Sequence, residues 1–253
     1  MLSNAVKHKL AAGEIVKGCF VRHHAPQLAE WLILSGWDFV MFDAEHGTLS
    51  PAQVEDLSRA VEVRGGTPFV RATTNSASII LRFLDAGPVG IHVPWVNSAA
   101  EAEAVVRAVK YVPEGTRGLA GTRASDFGIS ESLGSYIERA NRETLVVIHI
   151  ETADAVARVD EIAAVPGVDV LFIGPTDLSH SLGVAGQLDH PDVVEAMDRI
   201  ADRTLAAGKW LGILAATTAR AEQWAEKGAT YLCANVENVL APGSRAYLAV
   251  GST

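Results

Sequence analysis

Short apolar runs alternate along this chain with longer amphipathic stretches. Eight runs read as strands: Lys17–Arg22, Asp38–Asp43, Pro68–Arg71, Gly90–Trp95, Leu145–Ile150, Val170–Ile173, Trp210–Ala215 and Tyr231–Ala234. Their nearly unbroken apolar character is that of strands covered on both faces. Between them, Pro51–Val63, Ala99–Val109, Ala153–Val165, Pro191–Ala207 and Ala219–Lys227 carry apolar positions at helical spacing. Ser76–Ala86 reads as a shorter helix closed by Gly87–Pro88, and Val236–Val250 as a terminal helix. Ser98 stands where an N-cap belongs, and Gly208 and Gly228 where helices end.

Eight strands alternating with helices predict an α/β fold of the closed (β/α)8 TIM barrel type. The 253 residues match the roughly 250 of such a barrel. No shift in composition interrupts the series, so residues 1–253 read as a single domain. The one irregular region is 111–130, with Pro113–Glu114–Gly115 and GTRASDFG. Its length suits an active-site loop or a subunit contact.

Composition narrows the picture. Hydrophobic residues make up 49% and charged residues 20%, ample for a large core. The net charge of −9 argues against nucleic acid or an anionic membrane as partner. MLSNAVKHKL lacks the apolar run of a signal peptide and no stretch approaches a membrane span, so a cytoplasmic location is expected. Cys19 and Cys233 sit in apolar runs and read as core thiols without a bond between them.

In a barrel of this kind sites are built where strands end. Asp38–Asp43 runs into Ala44–Glu45–His46–Gly47, placing Asp43, Glu45 and His46 at that junction. Another strand ends in Arg71, and Leu145–Ile150 ends in Glu151. In VLFIGPTDLSHSLG (Val170–Gly183), Gly174–Pro175 stops the strand and Asp177 follows. A base, a fixed cation and two carboxylates thus fall on one rim, and the oxygen ligands suit a hard divalent cation. Each has a plainer reading. Arg71 could pair with a surface carboxylate, His46 could be merely solvated, and Asp177 could cap a helix beginning at Leu178. Glu45 is expected to face away or to serve as a structural partner. Glu151, at the end of a buried strand, must be paired, protonated or metal-bound. Adjacent His23 and His24 point to opposite sides of a strand and cannot share one ion. No lysine stands at an inward strand end, which argues against Schiff-base chemistry.

Taken together, DFVMFDAEHG at Asp38–Gly47, FVRA at Phe69–Ala72, EGTRG at Glu114–Gly118, IETADAV at Ile150–Val156 and LFIGPTDLSHSLG at Leu171–Gly183 resemble a known family. It is that of the metal-dependent class II pyruvate aldolases of the HpcH/HpaI (hydroxy-heptenedioate aldolase) type, and the resemblance runs from about Asp38 to Leu248. It implies that Glu151 and Asp177 bind a divalent metal ion (Mg, Mn or Co). Arg71 would contact a bound 2-oxo acid, and His46 would transfer protons with support from Asp43. The turn amides around Gly174–Asp177 would receive the substrate carboxylate, making Gly174, Pro175 and Thr176 substrate-binding positions. Asp85 resembles a position that reaches a neighbouring subunit's site, and relatives usually form homohexamers. Where relatives often carry Gln, this chain has His149. That side chain shares a strand face with Glu151, and could ligate the metal or, one layer below, hydrogen-bond a ligand, a water or the substrate. Leu214 is expected near the rim, touching the aldehyde portion; Trp210, on the same face, could lie at the foot of its strand.

The expected activity is reversible cleavage of a 4-hydroxy-2-oxo acid to pyruvate, or hydroxypyruvate, and an aldehyde. The alternatives are another enolate enzyme of the same superfamily, of the oxaloacetate decarboxylase or acyl-CoA lyase type, or a non-catalytic barrel that binds a metal or an oxo acid.

Overall fold

The computed structural model describes residues 3–250. Eight parallel strands close in sequence order: β1 Val16–Val21, β2 Phe39–Asp43, β3 Thr67–Arg71, β4 Gly90–Val93, β5 Leu145–Ile150, β6 Val170–Ile173, β7 Trp210–Leu214 and β8 Ala229–Asn235. β8 pairs with β1, so no edge is left open. The helices are α1 Ala5–Ala11, α2 Pro26–Leu34, α3 Pro51–Glu62, α4 Ala77–Asp85, α5 Ala99–Val109, α6 Leu133–Glu143, α7 Ala153–Ala157, α8 Val159–Ala163, α9 Pro175–Ser181, α10 Pro191–Ala206, α11 Thr218–Glu226 and α12 Val236–Leu248. Between α5 and α6, the irregular region contains a 3-10 turn at Arg123–Gly128. No described helix is long and apolar enough to cross a membrane.

The strands alternate between two cores. Val40, Phe42, Val70, Ile91, Ile148 and Ile173 point outward beneath the helices. Phe20, Phe39, Met41, Phe69, Val147, Phe172 and Tyr231 point inward and fill the barrel. Such an interior needs gaps as well as rings. A Cβ at Gly18 would fall 2.0 Å from the Phe39 ring, and one at Gly90 would fall 1.8 Å from Phe69. Glycine at these two strand positions lets aromatic rings from neighbouring strands cross the axis. Helix α1, a stretch the hydropathy pattern leaves without an element, inserts Val6 and Leu10 into the foot of this inner core. Asn4 caps it and also donates to the carbonyls of Val89 and Glu143.

Three expectations change. Ala153–Val165 is not one helix: the backbone leaves helical angles at Arg158, giving α7 and α8. β4 ends at Val93 rather than Trp95, because Pro94 has no N–H for the ladder and Trp95 takes a left-handed φ of 58°. Helix α9 starts at Pro175, whose fixed φ suits a first helical position. Asp177 therefore lies inside the first turn and is not the N-cap. Cys19 points to the outer core and Cys233 to the inner one, so both are free. Burial pushes the Cys19 thiol up to about 12 and the Cys233 thiol well above its ordinary value.

Candidate active site

At the carboxyl ends of the strands, a cavity of about 260 Å³ is lined by His46, Arg71, His149, Glu151, Asp177 and Leu214, with Phe172 as its floor and Arg22 and Asn235 at one side. The Gly174–Pro175–Thr176 turn forms another wall. Of the residues expected at the rim, Asp43, Glu45 and Asp85 do not line it.

Asp43 and Arg71 are paired positions on β2 and β3, so both side chains point inward at the same level. Arg71 Nε donates to Asp43 Oδ1 at 2.9 Å and Nη2 to Oδ2 at 2.6 Å, a fork on a carboxylate. Asp43 Oδ1 also accepts from the amides of Glu45 and His46, both at 3.2 Å. Burial alone would raise the Asp43 carboxyl, but Arg71 and the His46 amide outweigh it and hold it below the ordinary range. Asp43 thus supports His46 through its backbone. The imidazole stands half-exposed at the mouth, with Nε2 3.9 Å from Glu45 Oε2.

Of the two readings of Glu45, the structure takes the structural partner and not the outward-facing side chain: Oε2 lies 3.0 Å from Arg71 Nη1, and Oε1 accepts from Trp95 Nε1 at 2.8 Å. Burial raises its carboxyl above the ordinary value despite Arg71. Arg71 is in this way held from both sides, with the Phe20 ring 5.2 Å from its guanidinium carbon.

Glu151, just past the end of β5, is 1% exposed. Its Oε1 accepts from the Trp95 amide at 2.9 Å and its Oε2 from His149 Nδ1 at 3.1 Å. Burial opposes ionisation, yet the His149 ring, the Trp95 amide and Arg71 prevail, so the carboxyl lies below its ordinary range. Gly174 makes room for it, since a Cβ there would sit 2.7 Å from Glu151 Oε2. His149 stacks on Phe172 with centroids 4.7 Å apart. Its other nitrogen, Nε2, lies 2.8 Å from His92 Nδ1, and His92 Nε2 lies 2.9 Å from the Tyr231 hydroxyl.

Asp85 ends α4, outside this cavity, and receives Arg117 Nη2 at 2.6 Å. His23 and His24 are exposed, and His24 pairs with Asp56. Trp210 lies at the foot of β7 against the inner core, while Leu214 reaches the cavity. None of the described lysines lines the cavity. Among the described residues no three His, Cys, Asp or Glu side chains form a ready-made metal cluster. Glu151 and Asp177 both line this open space, and two carboxylates of this kind are a donor set that fits a hard divalent cation. Sequence reasoning missed Trp95, His92 and Tyr231. A histidine within GIHV, an otherwise apolar buried strand, was the readable signal for the second.

The sequence pattern of the HpcH/HpaI aldolase/citrate lyase family matches residues 17–240. The chain belongs to that family. The 5-keto-4-deoxy-D-glucarate aldolase of Shigella boydii is 37% identical over 230 residues, covering 90% of this chain and 88% of its own. Two solved family structures share the fold closely. An HpcH/HpaI aldolase/citrate lyase family protein from Burkholderia cenocepacia superposes with a TM-score of 0.94 at 32% identity, over 99% of this chain and 100% of that one. The HpcH/HpaI aldolase of Desulfitobacterium hafniense superposes with a TM-score of 0.92 at 29% identity, over 100% and 98%. The protein is thus a carbon–carbon lyase built on a TIM barrel.

Proposed function

We propose that this aldolase cleaves a 4-hydroxy-2-oxo acid to pyruvate, or hydroxypyruvate, and an aldehyde, and runs the reverse condensation. The observation that carries this reading is the convergence of Arg71, Glu151 and Asp177 on one small cavity with His46 at its mouth. Glu151 and Asp177 would hold a divalent ion of the Mg, Mn or Co kind. When bound, it supplies a Lewis acid for the carboxylate and keto oxygens of the 2-oxo acid.

This chain's own residues do the rest. Arg71, always protonated and fixed by Asp43 and Glu45, donates to the keto oxygen as negative charge develops there. His46 takes the proton of the 4-hydroxyl, directly or through a water. The C3–C4 bond then breaks: C4 becomes the aldehyde carbonyl, and the bonding electrons form the enolate of the 2-oxo acid. A proton returned to C3 completes pyruvate. The first-turn amides of Thr176 and Asp177, which have no intrahelical acceptor, receive the substrate carboxylate. Leu214 contacts the aldehyde portion. Asp85 would act in a neighbouring copy's site within a homo-oligomer, a hexamer by family resemblance. Exposed Leu240, Tyr247 and Leu248 on α12 and Trp31 and Leu34 on α2 support such an assembly. A cytoplasmic location and small-molecule partners complete the proposal.

The first substrate to test is 5-keto-4-deoxy-D-glucarate, named for the Shigella relative. Pyruvate release should vanish with chelator and return with Mg, Mn or Co. Exchange of pyruvate methyl protons in deuterated water should follow the same metal dependence. Full activity in rigorously metal-free protein would overturn the metal assignment, and exchange without cleavage of any hydroxy-oxo acid would overturn the aldolase reading.

A further inference from the structure

Beneath Glu151 a line of polar side chains descends through the apolar interior of the barrel. Glu151 Oε2, His149, His92 and the Tyr231 hydroxyl are linked by contacts of 3.1, 2.8 and 2.9 Å, and each of these residues is 0–1% exposed. They come from three parts of the barrel wall: β5 supplies His149 and the residue just past its end is Glu151, β4 supplies His92 and β8 supplies Tyr231. Phe20, Phe39, Phe69 and Phe172 surround the line. Polar groups buried in this way persist when every one of them is paired, and here all are.

The chemistry of the two ends fixes the sense of the line. The Glu151 carboxylate only accepts, so the nitrogen facing it, His149 Nδ1, carries a hydrogen. With a single hydrogen on its ring, His149 offers Nε2 as acceptor, which calls for a hydrogen on His92 Nδ1. His92 Nε2 is left as acceptor, and the Tyr231 O–H donates to it. Among the described residues the Tyr231 hydroxyl has no other hydrogen-bond partner. Any arrangement that turns the His92–Tyr231 bond around would leave the hydroxyl hydrogen without an acceptor among the described residues. Burial keeps His92 neutral and Tyr231 protonated, in agreement with this sense.

We propose that Tyr231 and His92 are positioning residues: through His149 they fix which ring nitrogen faces Glu151, and so hold that carboxylate in one orientation for the divalent cation. With Oε1 held by the Trp95 amide and Oε2 by His149, each oxygen keeps a second lone pair for a further partner, and Glu151 lines the cavity. The inference rests on the metal reading of Glu151. It makes His149 an orienting partner, not a ligand, and explains a buried polar column where an aldolase barrel could hold apolar side chains.

Two measurements test it. In metal-free protein labelled with ¹⁵N-histidine, ring-nitrogen shifts assigned from His92 and His149 variants should place the proton of both rings on Nδ1. In Tyr231→Phe, which removes one oxygen from a packed ring, those shifts should move toward a mixture of both ring forms. Calorimetry with MnCl₂ should then show affinity falling by roughly 10-fold. A Gln at 149 carries its donor permanently on the amide nitrogen. In a His149→Gln background, Tyr231→Phe should therefore leave Mn affinity within about twofold, against the 10-fold loss typical of such partners. Equal losses in both backgrounds, unchanged affinity in Tyr231→Phe, or a proton on His149 Nε2 in the parent protein would each overturn the proposal. A parent protein that binds no Mn at all would overturn the metal reading instead, and the ring-nitrogen shifts would still judge the column alone.

Discussion

Arg71 and Asp43, opposite each other on neighbouring strands, meet through two parallel hydrogen bonds of 2.9 and 2.6 Å at the floor of the rim. The pair is buried, so its geometry is set by the barrel and not by solvent. Nη1, the guanidinium nitrogen that Asp43 does not hold, lies beside Glu45, and Arg71 lines the cavity that Glu151 and Asp177 also line.

Replacing Arg71 with Lys keeps the charge and removes the fork. One ammonium cannot hold both Asp43 oxygens and reach a keto oxygen. Turnover in Arg71→Lys should fall by about 10²–10³-fold, the cost of losing a placed donor to a developing oxyanion. Metal affinity at Glu151 and Asp177 should change far less. Steady-state kinetics beside calorimetry measures the two separately, and wild-type turnover would show that Arg71 plays only a structural part.

The same pair gives acid sensitivity. The Asp43 carboxyl lies below its ordinary 3.8 in the folded protein. Its contribution to stability is therefore complete above the unfolded value and is lost as pH falls through the folded one. Asp43→Asn should destabilise the protein by about 3–5 kcal/mol at pH 7, because it removes the forked anionic partner of a buried guanidinium and leaves it Glu45 alone. That difference should stay constant down to about pH 5 and shrink below pH 4, as the wild-type carboxyl protonates. Urea denaturation of both proteins across this range checks the sign.

Gly174 tests the packing around Glu151. Its φ of −99° is open to alanine, so Gly174→Ala adds contact without backbone strain. The new methyl carbon would lie 2.7 Å from Glu151 Oε2 and 3.1 Å from Glu151 Cβ, too close for either to stay. Divalent metal affinity should fall about tenfold or more, as for other disturbances of a ligand's setting. Unaltered affinity would mean that Glu151 does not hold the metal in the orientation seen.

Leu214 separates the two halves of the reaction. It lines the cavity at the end of β7, two positions above Gly212, whose missing side chain accommodates Phe172. Leu214→Ala should change preference among aldehydes while leaving pyruvate proton exchange nearly intact. Equal losses in both assays would place Leu214 against the 2-oxo acid instead.

The barrel and most of its rim were legible in the sequence, because both follow from local periodicity. Apolar runs of four to six residues can be buried only as inner strands, and a strand's last residue lies on the rim wherever its partners lie. Arg71, Glu151 and Asp177 could thus be placed on one side of the molecule without knowing a single contact. Local pattern was weakest where an element's fate depends on neighbours. Helix α1 is held by the inner core it plugs, and α9 begins two residues before Asp177 because Pro175 starts it.

Only the tertiary structure decided which of these side chains touch. The inward turn of Glu45 depends on Arg71 and Trp95, residues 26 and 50 positions further along the chain. Trp95 reaches Glu151 only through a left-handed backbone that its residue type does not announce. His149, His92 and Tyr231 lie in three separate apolar strands, and nothing in their spacing joins them. They form a column because the closed barrel brings β4, β5 and β8 to one axis. Hydrogen bonds in its interior have no water to compete with them, so geometry alone selects each partner.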